Sequence, residues 1–224
     1  MVSDVFFDLD HTLWDFETNS ALAMEKVFLE QNIEVPISDF LKIYSPINFK
    51  YWDLYRKDEV TQKEVRYGRL KDSFDEMQVD IDDDTINAIS VKYIEYLPTF
   101  NNLFAGAIDL LDYLAPKYRL HIITNGFHEV QNIKLTNSGI FKYFETITNS
   151  ENAGHKKPNP IIFEYALNAA NTSKENSIMI GDCIDADVRG ALNFGMDAIL
   201  FCEKDIQYDN IKKVKRLTDL KNIL

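Results

Sequence analysis

Four short apolar runs, Val5-Phe6-Phe7, Leu120-His121-Ile122-Ile123, Ser177-Ile178-Met179-Ile180 and Ala198-Ile199-Leu200-Phe201, each stop at polar residues or glycine. Runs of this kind read as strands buried on both faces, as happens in a parallel sheet. Helical patterns lie between them, over Ala107 to Leu114, Glu129 to Ser138, Pro160 to Ala170 and Ala186 to Phe194. Strands alternating with helices predict an α/β fold with a doubly wound (Rossmann-like) parallel sheet core. A further strand is expected around Glu145 to Thr148.

Roughly a hundred residues separate the first run from the second, far more than one crossover connection needs. From about Asp15 to Leu97 the pattern is helical and charged, with helices expected over Asn19 to Gln31, Asp39 to Lys57, Gln62 to Met77 and Asp84 to Glu95. The expected organisation is a core domain from residues 1–14 and 98–224 with an inserted all-helical domain at 15–97. The chain has 224 residues and is 46% hydrophobic, enough to bury an interior of its own.

Aspartate and glutamate number 36 against 24 lysines and arginines, for a net charge of -12. That field repels a nucleic acid polymer, and a phosphate site in such a chain needs local cations, a metal being the obvious source. Met1-Val2-Ser3-Asp4 leads into an apolar strand without a basic segment, so no secretory signal is expected, and no run is long enough for a membrane span. Cys183 and Cys202 form neither a CxxC motif nor a disulfide framework, which fits a reducing, cytoplasmic setting. The sequence is equally compatible with a monomer and a homo-oligomer.

Four sites carry chemistry. Asp8-Leu9-Asp10-His11-Thr12-Leu13 follows the first strand, and ligands of open α/β sheets bind at the carboxyl ends of strands. An Asx-rich turn is the plain alternative, but Asp-x-Asp-x-Thr-aliphatic arises by chance in such a chain with a probability on the order of one per cent. Thr124-Asn125-Gly126 offers a hydroxyl and backbone N–H groups near a helix start, an arrangement that holds phosphate oxygens, although alone it is more often a turn. Lys156-Lys157-Pro158-Asn159-Pro160 sets cations before a proline-marked helix start. Gly181-Asp182-Cys183-Ile184-Asp185-Ala186-Asp187 places three carboxylates on one loop, more than helix capping needs.

In this order the four sites resemble the motifs of the haloacid dehalogenase superfamily: an Asp-x-Asp loop, a Thr or Ser, a Lys and an acidic Gly-Asp loop. The resemblance implies a common fold, a helical cap inserted after the first motif, and Mg2+ in the active site. Ile123-Thr124-Asn125-Gly126-Phe127 with Gln131 and Leu135, then Ser150-Glu151 and Lys157-Pro158 leading to Ile162-Phe163 and Tyr165-Ala166-Leu167, is similar to the pyrimidine 5'-nucleotidase branch, the YjjG-type phosphatases of nucleoside monophosphates.

On that resemblance Asp8 is the expected nucleophile, forming an aspartyl-phosphate, and Asp10 the general acid and base. An ester alkoxide needs the proton that Asp10 supplies, whereas a halide does not, so Asp10 favours a phosphate ester over an organohalide. Asp8, the backbone carbonyl of Asp10 and Asp182 are the expected metal ligands, with Asp187 as a supporting or alternative one and Asp185 solvated. Thr124, Asn125, Gly126 and Lys157 are expected to bind the phosphate, Lys156 being the fallback. Trp14, Phe16, Asn48, Tyr51 and Trp52 are candidates for contacting a base, and hinges are expected near Asp15 and Leu97-Pro98. Cys183 and His11 are read as loop-shaping rather than catalytic. The rival readings are a β-phosphoglucomutase-like phosphosugar mutase or sugar phosphatase, and a catalytically idle binding protein.

Overall fold

A computed structural model describes residues 2–204 and 209–224. The chain divides into two compact units, Met1–Phe16 with Asn101–Leu224, and Glu17–Phe100. The first is built on a six-stranded sheet of order β3-β2-β1-β4-β5-β6, with β1 Asp4–Phe7, β2 Arg119–Thr124, β3 Phe144–Asn149, β4 Ser177–Gly181, β5 Asp197–Phe201 and β6 Lys212–Val214. Every neighbouring pair is parallel. The doubly wound α/β expectation therefore holds, with one strand added. Strand β6 escaped the sequence reading because Lys-Lys-Val has no apolar run and lies at the sheet's edge.

Three helices of the sheet unit follow the expected pattern, α5 Ala107–Leu114, α6 His128–Asn137 and α8 Pro160–Ala170, and a single turn, α7 Ser150–Ala153, is added before α8. Local chemistry sets the limits of α8. Pro160 occupies its first turn, the Asn159 side chain accepts the Ile161 N–H at 3.0 Å, and Asn171 ends it in the left-handed region at φ 49°. Ile162, Phe163, Ala166, Leu167 and Ala170 of α8 pack on Phe6, Ile123, Met179, Ala198 and Leu200 of the strands, forming one contiguous core. The helix expected over Ala186 to Phe194 is in fact two pieces. A π-helical turn, Ile184–Arg189, precedes α9, Gly190–Phe194; such insertions recur where a site needs a side chain re-aimed.

The second unit is helical: α1 Phe16–Glu30, α2 Ile37–Arg56, α3 Gln62–Glu76 and α4 Asp83–Tyr96. Helix α3 starts in a capping box, where Thr61 and Glu64 satisfy each other's backbone N–H groups. Phe28, Phe40, Tyr44 and Phe74 form its aromatic centre, with Phe28 and Phe40 ring centroids 4.7 Å apart. Among the described residues, no helix is long and apolar enough to cross a membrane.

Candidate active site

The strand order reverses between β1 and β4, and ligand crevices of open α/β sheets form at such a point. Asp8 follows β1 directly, and its N–H donates to the Ile180 carbonyl of β4 at 2.9 Å. After Asp10 the chain turns tightly. The N–H groups of Leu13 and Trp14 both return to the Leu9 carbonyl, at 3.0 and 2.9 Å, while His11 takes φ 63°. The His11 ring lies 4.9 Å from that of Phe16, so His11 shapes the loop.

Lys157, 2% exposed, reaches this point from the segment before α8. Its ammonium lies 2.7 Å from Asp8 Oδ1 and 2.6 Å from Asp187 Oδ1, and donates to the Ile123 carbonyl at 2.6 Å. Two hydrogen bonds and an ion pair with Asp187 thus hold the ammonium. Asp187 comes from the π-helical turn, and its Oδ2 accepts the Cys183 N–H at 3.0 Å. A β-carbon on Gly181 would strike the Asp187 carboxylate, so glycine is what lets the turn close on β4. Cys183 Sγ faces the Ala186 N–H at 3.5 Å, a capping contact, and Asp185 pairs at the surface with Arg189 at 2.7 Å.

Ligand oxygens of Asp8, Asp182 and Asp187 all lie within 4.8 Å of one another. The Thr12 hydroxyl is 3.5 Å from Asp182 Oδ1. Three clustered carboxylates share one ammonium, leaving surplus negative charge. Burial, together with the neighbouring Asp187 and Asp8 charges, holds the Asp182 carboxyl well above the usual range. Burial likewise pushes Asp8 up; Lys157 opposes this without cancelling it, and Asp187 and Asp10 add to it. For Lys157, burial is outweighed by Asp187 and Asp8, and the ammonium is held above its ordinary value. Such an all-oxygen, over-negative cluster fits a hard divalent cation of the magnesium kind.

Strand β2 delivers Thr124 on the other side of Asp8. Thr124 Oγ1 accepts the Gly126 N–H at 3.0 Å and the Gln131 amide at 2.9 Å. With both acceptor positions filled, its own hydrogen must point elsewhere, which suits a donor to an oxyanion. The Asn125 side chain clasps the Lys157 backbone, donating to the carbonyl at 3.0 Å and accepting the N–H at 2.8 Å. The Gly126 N–H donates to Thr124 Oγ1, and its lack of a side chain makes room for Gln131. Both residues thus set the positions of groups expected to touch phosphate.

The Asp10 carboxylate is held at both oxygens, by Lys134 Nζ at 2.6 Å and by Gln131 Nε2 at 2.8 Å. Sequence reasoning assigned Lys134 no role and used Gln131 only as a mark of resemblance. The available signal was their place on the inward stripe of α6, at i and i+3 between Val130 and Leu135. Of the residues read as base contacts, Trp14, Phe16 and Asn48 are buried. Asn48 accepts from Arg69 at 2.8 Å, and the half-buried Tyr51 donates to Asp72 at 3.0 Å.

Residues 5–201 match the profile of the family described as haloacid dehalogenase-like hydrolase. The chain is 31% identical over 193 residues to the pyrimidine 5'-nucleotidase YjjG of Escherichia coli, covering 86% of this chain and 82% of that protein. It is 29% identical over 236 residues, spanning all of both chains, to a glyceraldehyde 3-phosphate phosphatase of Methanothermobacter thermautotrophicus. Among solved structures, the HAD-family protein YfnB of Bacillus subtilis in a magnesium-bound crystal form superimposes with a TM-score of 0.90 at 30% identity, covering 99% of this chain and 98% of that one. With the profile spanning the sheet unit and the helical insertion alike, and the acidic cluster at the sheet's reversal point, the chain belongs to the haloacid dehalogenase-like hydrolases and is an enzyme of the phosphatase type, related to the pyrimidine 5'-nucleotidases.

Proposed function

We propose that this enzyme is a magnesium-dependent nucleoside 5'-monophosphate phosphatase. The observation that carries the phosphomonoesterase chemistry is the pair of carboxylates two residues apart: Asp8 held by Lys157, and Asp10 held separately by Lys134 and Gln131. The nucleotide preference is supported by the likeness to YjjG and by the run Thr124-Asn125-Gly126 with Gln131 and Leu135.

Asp8 attacks phosphorus in line, an Asp8 oxygen to phosphorus bond forms, and the ester oxygen leaves with a proton from Asp10. Asp10, now a carboxylate, takes a proton from water as that water attacks the aspartyl-phosphate, releasing inorganic phosphate and restoring Asp8. Lys157 neutralises charge on Asp8 and the phosphoryl oxygens, and the Thr124 hydroxyl donates to one of those oxygens. Asp8 and Asp182 of the acidic cluster, with the Asp10 carbonyl, would hold Mg2+, which would supply the positive charge that the cluster lacks. Asp187 keeps Lys157 in place. The helical unit serves as the cap, with Trp52 and Tyr51 its half-buried aromatic candidates for a base. A cytoplasmic setting belongs to the same reading, both cysteines being free thiols.

A second reading, a phosphatase of small sugar phosphates, is favoured by the full-length likeness to the glyceraldehyde 3-phosphate phosphatase. Phosphate release from a panel of pyrimidine and purine monophosphates, triose phosphates and hexose phosphates, with magnesium and with Asp8→Asn as control, decides between them. Pyrimidine monophosphates turned over best, and only by the unsubstituted enzyme, is the expected result. Triose phosphates turned over better would replace the nucleotidase reading and keep the chemistry.

A further inference from the structure

We propose that Gln131 and Lys134 form a positioning pair that orients the Asp10 carboxyl group for proton transfer and turns the Thr124 hydroxyl towards phosphate. The inference rests on the reading of Asp10 as general acid given above. It begins with a geometric oddity of α6. Two polar side chains, 1% and 3% exposed, occupy its inward stripe between Val130 and Leu135. Neither is neutral filler. The Gln131 amide nitrogen uses one hydrogen on Asp10 Oδ2 at 2.8 Å and the other on Thr124 Oγ1 at 2.9 Å, bridging two of the four sequence motifs. With its nitrogen towards Asp10, the amide suits the carboxylate form of Asp10 that takes a proton from water.

Lys134 completes the clamp. Its ammonium is 2.6 Å from Asp10 Oδ1 and 4.1 Å from the ring centroid of the fully buried Trp14. An ammonium between a carboxylate and an indole face has few other places to go. Asp10 is thus fixed at both oxygens by groups from one rigid helix. A general acid must meet the departing oxygen within hydrogen-bond reach, and small misplacements there cost rate steeply. The same bridge fills an acceptor position on Thr124, leaving that hydroxyl to donate outward. Gly126 is required for this as well, because a β-carbon there would collide with the Gln131 amide.

Leaving-group dependence separates positioning of an acid from loss of fold or of phosphate binding. A p-nitrophenolate departs with little help, whereas phenolate needs a proton. The measurement is kcat/KM, which reports steps through departure of the phenol and excludes hydrolysis of the phosphoenzyme. It is made with p-nitrophenyl phosphate and phenyl phosphate on the unsubstituted enzyme, Gln131→Met, Lys134→Met, Lys134→Arg and Asp10→Asn, each with magnesium. The expected result is a loss for Gln131→Met and Lys134→Met that is about tenfold or more greater on phenyl phosphate than on p-nitrophenyl phosphate, approaching the pattern of Asp10→Asn, with partial recovery in Lys134→Arg. Lys134→Met removes a buried ammonium and costs stability, so Gln131→Met, nearly the same size and uncharged, is the deciding variant.

Equal losses on both esters in Gln131→Met, with Asp10→Asn still discriminating between them, would overturn the positioning role and leave Asp10's role intact. Equal losses in Asp10→Asn itself would overturn the acid reading, and the positioning pair with it.

Discussion

Lys157 Nζ lies 2.7 Å from Asp8 Oδ1, although 149 residues separate the two in sequence. The contact joins the end of β1 to the segment before α8, and Asp187 at 2.6 Å closes the other side of the ammonium. The same lysine donates to the Ile123 carbonyl, so its position is set by backbone as well as by charge. Lys157→Met is expected to lower kcat by about a hundredfold to a thousandfold, as removal of one electrostatic stabiliser of a transition state does. Lys157→Arg should recover little, because a planar guanidinium does not fit a buried site shaped around a compact ammonium between Asp8, Asp187 and the Ile123 carbonyl. Steady-state phosphate release checks both, and a Lys157→Met enzyme with more than a tenth of normal activity would contradict the assignment.

Metal removal has a sign that differs between the folded protein and its variants. In the metal-free protein, Asp8, Asp182 and Asp187 face one another with Lys157 as the cation among them. Magnesium binding should raise the melting temperature, by a free energy of about 2.7 kcal/mol when its concentration is a hundred times Kd. Asp182→Asn should raise the melting temperature in EDTA, by relieving repulsion, and abolish the further rise with magnesium. Thermal unfolding of both proteins with EDTA and with added magnesium gives the answer. A full magnesium response in Asp182→Asn would remove Asp182 from the ligand set.

Much of this site is legible from residue order, and the remainder is hidden for identifiable reasons. Asp8, Thr124, Lys157 and Asp182 each follow an apolar strand or precede a marked helix start, so strand ends alone bring them to one edge of the sheet. The inner supports are not local in sequence. Asn125 clasping the Lys157 backbone and Gln131 bridging Asp10 and Thr124 depend on tertiary distances that no periodicity encodes. The π-helical turn at Ile184–Arg189 is hidden for a different reason: its residues suit a plain α-helix, and only the demand that Asp187 reach Lys157 selects the wider turn. Trp14 and Asn48 looked available to a ligand by residue type, yet both are buried.

At the opposite end of the sheet unit's strands, Asp4 and His121 form a second buried ionic group. Asp4 Oδ1 faces His121 Nε2 at 3.0 Å and Arg119 at 2.7 Å, while Oδ2 accepts from Ser3 and Thr172. Burial lowers the His121 value, with Asp4 and Glu145 opposing and Arg119 assisting. A histidine depressed in the folded state takes up its proton more readily when unfolded. Stability is therefore present above about pH 6.5 and declines as the pH falls from there towards the depressed value. Relative to His121→Gln, the unsubstituted protein should lose stability from pH 7.5 to 5, with a limiting slope of about 1.4 kcal/mol per pH unit in urea unfolding free energy; the raised carboxyls of Asp8 and Asp182 act in the opposite sense over this range but equally in both proteins, so the comparison isolates His121. In His121→Gln that component should vanish, leaving the carboxyl contributions alone, with Asp8 and Asp182 gaining protons on folding first and Asp4 titrating lower. An unchanged profile in His121→Gln would show that His121 does not set the acid limit.

Gly181 makes the most local demand of any residue at the site. It ends β4, and the Asp187 carboxylate occupies the space that a side chain would fill. Gly181→Ala must displace Asp187, which would pull it away from Lys157 and from the Cys183 N–H at once. Overpacking of that order costs about 1–3 kcal/mol, so the unfolding free energy should fall by that amount. Activity should fall much further than stability, because the lysine that neutralises Asp8 loses its second carboxylate. Alanine at position 126 offers the matching contrast: its β-carbon would displace Gln131 rather than Asp187, so Gly126→Ala should spare Lys157 and weaken turnover most for poor leaving groups. Urea unfolding with kcat/KM on p-nitrophenyl and phenyl phosphate distinguishes the two: Gly181→Ala should lose about equally on both esters, and an equal loss on both in Gly126→Ala would show that Gly126 does not act through Asp10.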